Sequence, residues 1–154
     1  MTRSSADSPP PAPIDGTTLH PGTGSGRVLK LESPLSFWGG TGHDGRIIDR
    51  HHPQYGSTMA GRVLAMTSGR GSSSSSSVLA EQLRAGTGPV TILMTEADAI
   101  VVLGAIVADE LYGIRTPVVL LSADDFAALP DGAGLSVDAS AERSEVTVTD
   151  RTPA

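Results

Sequence analysis

The most chemically suggestive feature of the chain is a glycine-flanked serine run that leads directly into a helix-forming segment. Residues 69–77 read Gly-Arg-Gly followed by six consecutive serines, and the aliphatic run 78–84 starts immediately afterwards. Backbone N–H groups at a helix entrance have no intrahelical partner, so a loop there presents hydrogen-bond donors and the positive end of the helix dipole. The junction predicts an anion-binding loop that also carries hydroxyl groups.

Serine runs are also typical of flexible linkers, and serine is a preferred helix cap. The position of this run favours a binding loop, because it lies in mid-chain between two apolar segments. Upstream, residues 61–66 have strand character from Val63 and Leu64, so the serines connect a strand to a helix. The capping or linker interpretation stays open beside the binding one.

A second dense segment, residues 35–53, contains a run of aspartate, arginine and two histidines. Histidine and aspartate together can ligate zinc or iron. If the backbone continues as a strand, Asp49 and His51 share one face while Arg50 and His52 share the other, so the adjacent histidines diverge. We expect an interface or substrate-loop role for these four residues and no metal site. An exposed loop with one histidine bonded to the backbone is the structural alternative.

Trp38 is the only tryptophan of the chain, and Gly39 and Gly40 follow it. An isolated aromatic side chain beside a Gly-Gly pair commonly packs at a core edge. The two glycines allow a positive φ or the close approach of another backbone, so we expect them to shape the segment without chemical roles.

Taken together, the two segments resemble the small swivelling subunit of the aconitase X family. The resemblance covers residues 26–129, in the family's order. Its motifs are Ser36-Phe-Trp-Gly-Gly40, Ile47-Ile-Asp-Arg-His-His-Pro53, Gly61-Arg62, Ser68-Gly-Arg-Gly-Ser-Ser-Ser74 and Leu103-Gly-Ala-Ile-Val-Ala-Asp-Glu-Leu-Tyr112.

The resemblance implies a dehydratase in which an iron site holds a hydroxy acid and a serine of the swivel domain removes the carbon-bound proton. The family's Gly-Ser-Ser-Arg type of loop maps onto residues 71–74, which makes Ser72 the candidate base. Gly71, Ser73 and Ser74 are then candidate substrate contacts. Ser74 stands where classical aconitases carry a carboxylate-binding arginine, and Arg70 is the candidate to supply that charge. In the same resemblance, residues 38–40 and 49–52 lie at the active-site mouth or interface.

Two substrates are associated with the family. Bacterial members resemble cis-3-hydroxy-L-proline dehydratases, which yield pyrroline-2-carboxylate, and archaeal members resemble mevalonate 5-phosphate dehydratases. The alanine-, glycine- and aspartate-rich composition is typical of a GC-rich bacterial genome and favours the proline derivative. A non-catalytic anion-binding module is the alternative from another class. A serine hydrolase is disfavoured because no Gly-x-Ser-x-Gly elbow is present.

Cysteine is absent from the chain. Iron–sulfur clusters are held chiefly by cysteine thiolates, so an iron or iron–sulfur site must be built by a partner, expected to be a larger subunit. The absence also excludes disulfides and makes the cytoplasm the expected compartment. The net charge of −6 comes with scattered basic residues, and no aliphatic run approaches membrane-span length. Neither nucleic acid nor membrane is therefore an expected partner.

The predicted organisation is a disordered extension over residues 1–25, which holds five of the eleven prolines, followed by one swivel domain over residues 26–154. The fold class is α/β, and the resemblance implies a swivelling β/β/α domain with a mixed sheet flanked by helices. Strands are predicted at 26–31, 61–66, 90–94 and 117–121, with an edge strand at 145–149. A mostly buried helix is predicted over 96–111, with Gly113 as its left-handed stop.

Overall fold

Seven strands and four helices form the part of the chain, residues 12–151, that the computed structural model describes. The strands are β1 (Ile14–His20), β2 (Gly22–Lys30), β3 (Val63–Met66), β4 (Thr91–Met94), β5 (Val118–Leu120), β6 (Gly134–Ala139) and β7 (Ser144–Asp150). The helices are α1 (Phe37–Gly40), α2 (Ser74–Ala85), α3 (Ala99–Tyr112) and α4 (Ala123–Ala128).

The strands close into a barrel in the order β1-β5-β4-β3-β2-β6-β7, with β7 pairing back to β1. Strands β2, β3, β4 and β5 are parallel neighbours, and the remaining pairs are antiparallel. The predicted mixed sheet with flanking helices is confirmed. The strands on either side of α3, β4 and β5, pair in parallel. The predicted edge strand is wrong, because β7 is bonded on both sides and barrel closure leaves it no free edge.

The two faces of the central strands line two separate cores. On β3, Val63 and Ala65 join the cluster that also contains Leu135 and Val146 of the antiparallel strands. Leu64 and Met66 of the same strand join the cluster that α2 and α3 cover. The period-two alternation of a strand thus explains why β3 reads as a continuous apolar run, since both of its faces are buried.

Helix α3 begins and ends where the sequence carries capping residues. The Asp98 carboxylate accepts hydrogen bonds from the N–H groups of Ile100 (2.9 Å) and Val101 (3.3 Å), and Gly113 ends the helix in the left-handed conformation, as predicted. The prediction of a mostly buried helix is wrong for its outer face, where Leu103 is 46% and Ile106 39% exposed. Only one side of α3 packs on the core.

The prediction of disorder is wrong for residues 14–25, which form β1 and the first part of β2. These strands lack strong apolar alternation because glycine replaces side chains where another strand packs closely. A Cβ at Gly24 would collide with Thr91 Oγ1 and lie 2.6 Å from Val90 O. Residues that suggested flexibility therefore serve tight packing, and the domain begins well before residue 26. Residues 1–11 of the predicted extension lie outside the described residues.

Candidate active-site surface

The serine run is part of helix α2 and its entrance. Ser74–Ser77 form the first turn of α2, and the turn is closed by bonds from Ser75 N to Ser72 O (3.0 Å) and from Ser76 N to Ser73 O (3.2 Å). Ser73 is the N-cap residue, but its side chain makes no capping hydrogen bond. The linker and side-chain-cap interpretations are therefore wrong, since the last four serines of the run are helical and the Ser73 hydroxyl is not used as a cap.

Ser72 lies exposed at the entrance of α2. Within residues 12–151 its hydroxyl makes no hydrogen bond, and neither do the backbone N–H groups of residues 72–74. Such free N–H donors at the N-terminal end of a three-turn helix favour a negative charge nearby. The structure thus offers an unengaged hydroxyl beside unengaged donors.

The segment around Trp38 packs directly against this entrance. A parallel bridge joins Leu35 to Gly69, and Arg70 N donates to Leu35 O at 3.0 Å. In the first turn of the helix, Ser75 Oγ accepts a hydrogen bond from the Trp38 N–H at 3.3 Å. The two segments that stood out in the sequence are therefore neighbours in the fold.

Gly71 is required by this close packing. Its φ is +115°, and a Cβ at this position would lie 2.5 Å from Ser36 Oγ and 3.3 Å from Ser75 Oγ. Any larger residue would push residues 69–73, here called the serine loop, away from Ser36.

Trp38 points outward, with 62% of its surface exposed, while the neighbouring Phe37 is buried. The expectation that Trp38 packs at the core edge is thus wrong, because Phe37 takes the buried position instead. The backbone leaves helical geometry at Trp38 (φ −80°, ψ 115°) and Gly39 (φ +79°), which turns the indole away from the core. Gly39 is exposed, but Gly40 is buried and its carbonyl accepts from Ile48 N at 2.9 Å. Gly40 therefore shapes the segment from inside and not at the mouth.

The segment 49–52 forms a turn and not the strand that the face argument assumed. Asp49 Oδ1 accepts from His51 N at 2.9 Å. His52 is buried, and both ring nitrogens are engaged: Nδ1 accepts from Gln54 N, and Nε2 donates to Ser33 O, each at 3.0 Å. His52 is thus a structural residue, which corrects its placement at the mouth, whereas Arg50 and His51 are exposed.

No hydrogen bond or ion pair among the described residues links residues 49–52 to the serine loop. Nor does any group of three histidine, cysteine, aspartate or glutamate side chains in the described chain converge to hold a metal ion. The pair His51 and His52 diverges, with one ring in solvent and the other in the protein.

Arg70 is exposed beside Gly71 and makes no ion pair within residues 12–151, so its guanidinium is free to meet an anion at the helix entrance. Arg62, the other arginine close to the motifs, is engaged. Its Nε and Nη2 donate to the carbonyls of Arg27 (3.1 Å) and Val28 (2.8 Å). Arg62 therefore fixes the start of β3 and is not available to a substrate.

A cavity of about 470 Å³ lies beside the Trp38 segment, on the flank of α2. Gln82 lines it and connects α2 to the segment after Trp38, with Nε2 donating to Thr41 Oγ1 (2.7 Å) and Gly42 O (3.1 Å). Hydrogen bonds from Arg84 lower the pKa of the lining Glu81, which stays charged. Ser72 does not line this cavity. The lining residues are Phe37, Trp38, Gly39, Thr41, Gly42, His43, Ser77, Val78, Glu81, Gln82, Ala85 and Thr87.

Sequence reasoning missed three residues that build this surface, namely Ser36, Ser75 and Gln82. The sequence held a signal for two of them. Ser75 precedes Leu79 and Leu83 at steps of four residues, which places it on the apolar face of the helix, and Gln82 lies beside that face. These positions are buried on α2, as the spacing requires.

The fold and the site together define a class of protein: a closed mixed barrel that displays a serine loop and an aromatic segment side by side on its surface. Such an exposed surface is suited to form one wall of a ligand site whose other wall is a second protein surface. In the described part of the chain, no helix has the length and apolar character needed to cross a bilayer.

Residues 13–148 match the family model described as the aconitase X swivel domain. The chain therefore belongs to the aconitase X swivel-domain family, which confirms the resemblance. Aconitase X of Thermococcus kodakaraensis, solved in its holo-form, superposes with a TM-score of 0.76 at 29% identity, over 88% of this chain and 98% of that chain.

Two curated relatives carry different names. A cis-3-hydroxy-L-proline dehydratase of Pseudomonas aeruginosa is 47% identical over 116 residues, which are 73% of this chain and 20% of the relative. The chain thus spans about a fifth of the length of that relative. A phosphomevalonate dehydratase small subunit of Pyrococcus furiosus is 35% identical over 136 residues, covering 88% of this chain and 94% of the relative. Both relatives are dehydratases by name.

Proposed function

We propose that the chain is the small subunit of a heteromeric aconitase X-type hydro-lyase that dehydrates cis-3-hydroxy-L-proline to pyrroline-2-carboxylate. The observation that carries the proposal is the exposed Ser72 hydroxyl, which lies at the entrance of α2 beside unengaged N–H donors and the free Arg70 guanidinium. The identity of 47% to the Pseudomonas dehydratase supports this substrate.

In the proposed reaction, Ser72 Oγ takes the proton from the carbon next to the substrate carboxylate. The electron pair of that C–H bond forms a carbon–carbon double bond as the C3–O bond breaks and the hydroxyl leaves as hydroxide. Return of the proton from Ser72 converts this hydroxide to water and restores the serine base. The resulting ring enamine then tautomerises to the cyclic imine. Arg70 and the loop N–H groups would hold the substrate carboxylate.

A serine alkoxide is far too strong a base to exist near neutral pH unless its surroundings stabilise it. The free N–H groups, the dipole of α2 and Arg70 all favour a negative charge at Ser72. Each contribution grows as water is excluded and the local dielectric falls. Because Ser72 is exposed in this chain, that exclusion requires a second surface, which we assign to a large subunit in a heterodimer.

An iron or iron–sulfur centre does not fit the residues of this chain. The sequence has no cysteine, and the described residues hold no group of three potential metal ligands. We place the metal centre in the large subunit, where it would polarise the leaving hydroxyl, and the assembled enzyme in the cytoplasm. In this scheme the swivel domain contributes the base and part of the carboxylate site.

A second candidate is the small subunit of a mevalonate 5-phosphate dehydratase. It is favoured by the match to the Pyrococcus small subunit, which covers 94% of that relative. A phosphate group would require additional basic side chains. Among the arginines near the motifs, Arg62 is engaged by backbone carbonyls and only Arg70 adjoins the serine loop, which favours the substrate with fewer negative charges.

The test is to co-purify the chain with the product of its neighbouring gene and to assay both substrates anaerobically. We expect turnover of cis-3-hydroxy-L-proline, and a loss of about 10²- to 10⁴-fold in kcat for Ser72→Ala, the range typical of a general base. Ser25→Ala is the matched control, since Ser25 is an exposed serine on β2, outside the candidate site. It should retain full activity.

Unchanged activity in Ser72→Ala would overturn the role of this serine. Turnover of mevalonate 5-phosphate alone would select the second candidate. Failure to associate with any iron-carrying protein would leave a non-catalytic anion-binding module.

A further inference from the structure

The peptide groups on both sides of Trp38 are fixed by serine hydroxyls. Its N–H donates to Ser75 Oγ at 3.3 Å, and its carbonyl accepts from Ser36 Oγ at 2.7 Å. Ser75 is only 4% exposed, so its hydroxyl has little access to water as an alternative partner. Together the two hydroxyls form a clamp on the Trp38 backbone, which we call the Ser36–Ser75 clamp.

The clamp belongs to the same packed unit as the serine loop. Ser36 Oγ is the atom that a Cβ on Gly71 would meet at 2.5 Å, and Ser75 donates its N–H to Ser72 O at 3.0 Å. Each clamp residue thus contacts both Trp38 and the loop that carries the candidate base. The position of the Trp38 backbone relative to the serine loop is therefore fixed by local contacts.

The indole held by this clamp is 62% exposed. An aromatic ring in solvent gains nothing from core packing, yet the backbone of Trp38 is hydrogen-bonded on both sides. A fixed backbone limits the positions that the exposed ring can take. This suits a binding wall, because a group already ordered loses less entropy when a ligand arrives.

The chemistry around the loop indicates which part of the substrate meets the ring. Arg70 and the free N–H groups suit the carboxylate of a cyclic amino acid, but its ring ammonium needs a different partner. The carboxylate that adjoins the loop at Gly69, Asp98, already accepts from two backbone N–H groups. The face of an indole attracts a cation without carrying a charge of its own.

We propose that Ser36 and Ser75 are positioning residues that hold Trp38 as a rigid wall of the substrate site, and that its indole face recognises the ring ammonium of the cyclic amino acid. This rests on the proposed function, and it names the specificity-determining residue of that site. A phosphorylated hydroxy acid has no ammonium and would gain nothing from the ring.

The clamp is tested without any enzyme activity, because Trp38 is the only tryptophan and its fluorescence reports on this position alone. Time-resolved anisotropy of the chain should show a fast component whose amplitude roughly doubles in Ser75→Ala and in Ser36→Ala, as the indole gains nanosecond motion. Ser25→Ala, an exposed serine on β2, is the matched control and should leave the decay unchanged. Circular dichroism checks that each variant is folded. Unchanged anisotropy in folded Ser75→Ala and Ser36→Ala would overturn the clamp.

The recognition of the ammonium is tested in the reconstituted enzyme. Trp38→Leu should raise KM for cis-3-hydroxy-L-proline about 3- to 30-fold with a smaller change in kcat, the range expected for a cation–π contact. Trp38→Phe should lie between Leu and wild type. The clamp variants should also raise KM, since a mobile ring binds less well.

An unchanged KM in Trp38→Leu would overturn the specificity role. Loss of association with the large subunit in that variant would also overturn it, because the indole would then be a docking contact. If the wild-type pair dehydrates neither substrate, the proposed function and the ammonium contact both fail, while the anisotropy result still decides the clamp.

Discussion

At the scale of single residues, the clearest electrostatic signal lies away from the serine loop, at His20 on β1. Burial is the main cause that lowers the pKa of His20 below its ordinary value of 6.5, and Arg115 lowers it further. Asp109 opposes this shift: its Oδ2 lies 3.3 Å from His20 Nε2, without the alignment of a hydrogen bond, and 3.4 Å from Arg115 Nε. Since the folded state binds this proton less readily than the unfolded chain, protonation of His20 favours unfolding.

The stability contributed by neutral His20 should therefore be complete above pH 6.5 and fall as the pH drops towards its lowered pKa. The free energy of unfolding should decrease in this window by at most about 1.4 kcal/mol per pH unit from this group. Urea titrations at closely spaced pH values measure the slope. In His20→Gln the slope should become shallower, whereas His43→Gln, at an exposed histidine, should leave it unchanged. Identical slopes for His20→Gln and wild type would contradict the assignment.

At the scale of elements, the start of α3 and the serine loop are linked through one side chain. Asp98 caps α3, and its Oδ2 would meet a Cβ on Gly69 at 2.7 Å. The cap thus stabilises the helix and packs against the first residue of the loop. A helix start that looks merely structural in sequence therefore supports the candidate site.

Replacing the cap separates its hydrogen bonding from its charge. Asp98→Ala should lower the free energy of unfolding by about 0.5–2 kcal/mol, because two helix N–H groups lose their acceptor. Asp98→Asn keeps an acceptor oxygen and should retain most of the stability. Denaturant midpoints with unchanged m-values measure both effects. Equal losses in the two variants would show that the charge, and not the acceptor, is what matters.

At the scale of the whole molecule, β1 closes the barrel. It pairs with β5 on one side and with β7 on the other, so without it two strands would have unpaired edges. The interior cluster, which includes Val119 and Val146 on those two strands, would also be opened to water.

A chain that begins at Gly22 should therefore lose cooperative thermal unfolding. A chain that begins at Ala12 keeps all seven strands and is the control, expected to unfold cooperatively. Calorimetry distinguishes the two. A cooperative transition of similar enthalpy in the shorter chain would show that β1 is dispensable. That result would favour the domain start predicted from the sequence, at residue 26, over a start before β1.

The sequence by itself determined the features that depend on local chemistry. The apolar runs of β3, β4 and β5, the left-handed stop of α3, and the serine loop before a helix were all predictable, because strand alternation and glycine conformations act over a few residues. The start of α3 was predicted at residue 96, whereas the helix begins at Ala99 with Asp98 as its cap. The ordered set of motifs also identified the family, and the missing cysteines limited what metal chemistry this chain could hold.

The tertiary structure decided what depends on contacts between distant segments. Glycines near the start of the chain suggested flexibility until the approach of Thr91 and Val90 to Gly24 showed why a side chain is excluded. His52 stood next to His51 in sequence, but burial and two hydrogen bonds give it a structural role. Ser75 was one of six identical residues, and only the packing of residues 35–38 on α2 gave its hydroxyl the Trp38 N–H as a partner. Whether a serine hydroxyl is free or hydrogen-bonded depends on the residues that folding places beside it. A run of identical serines does not contain that information.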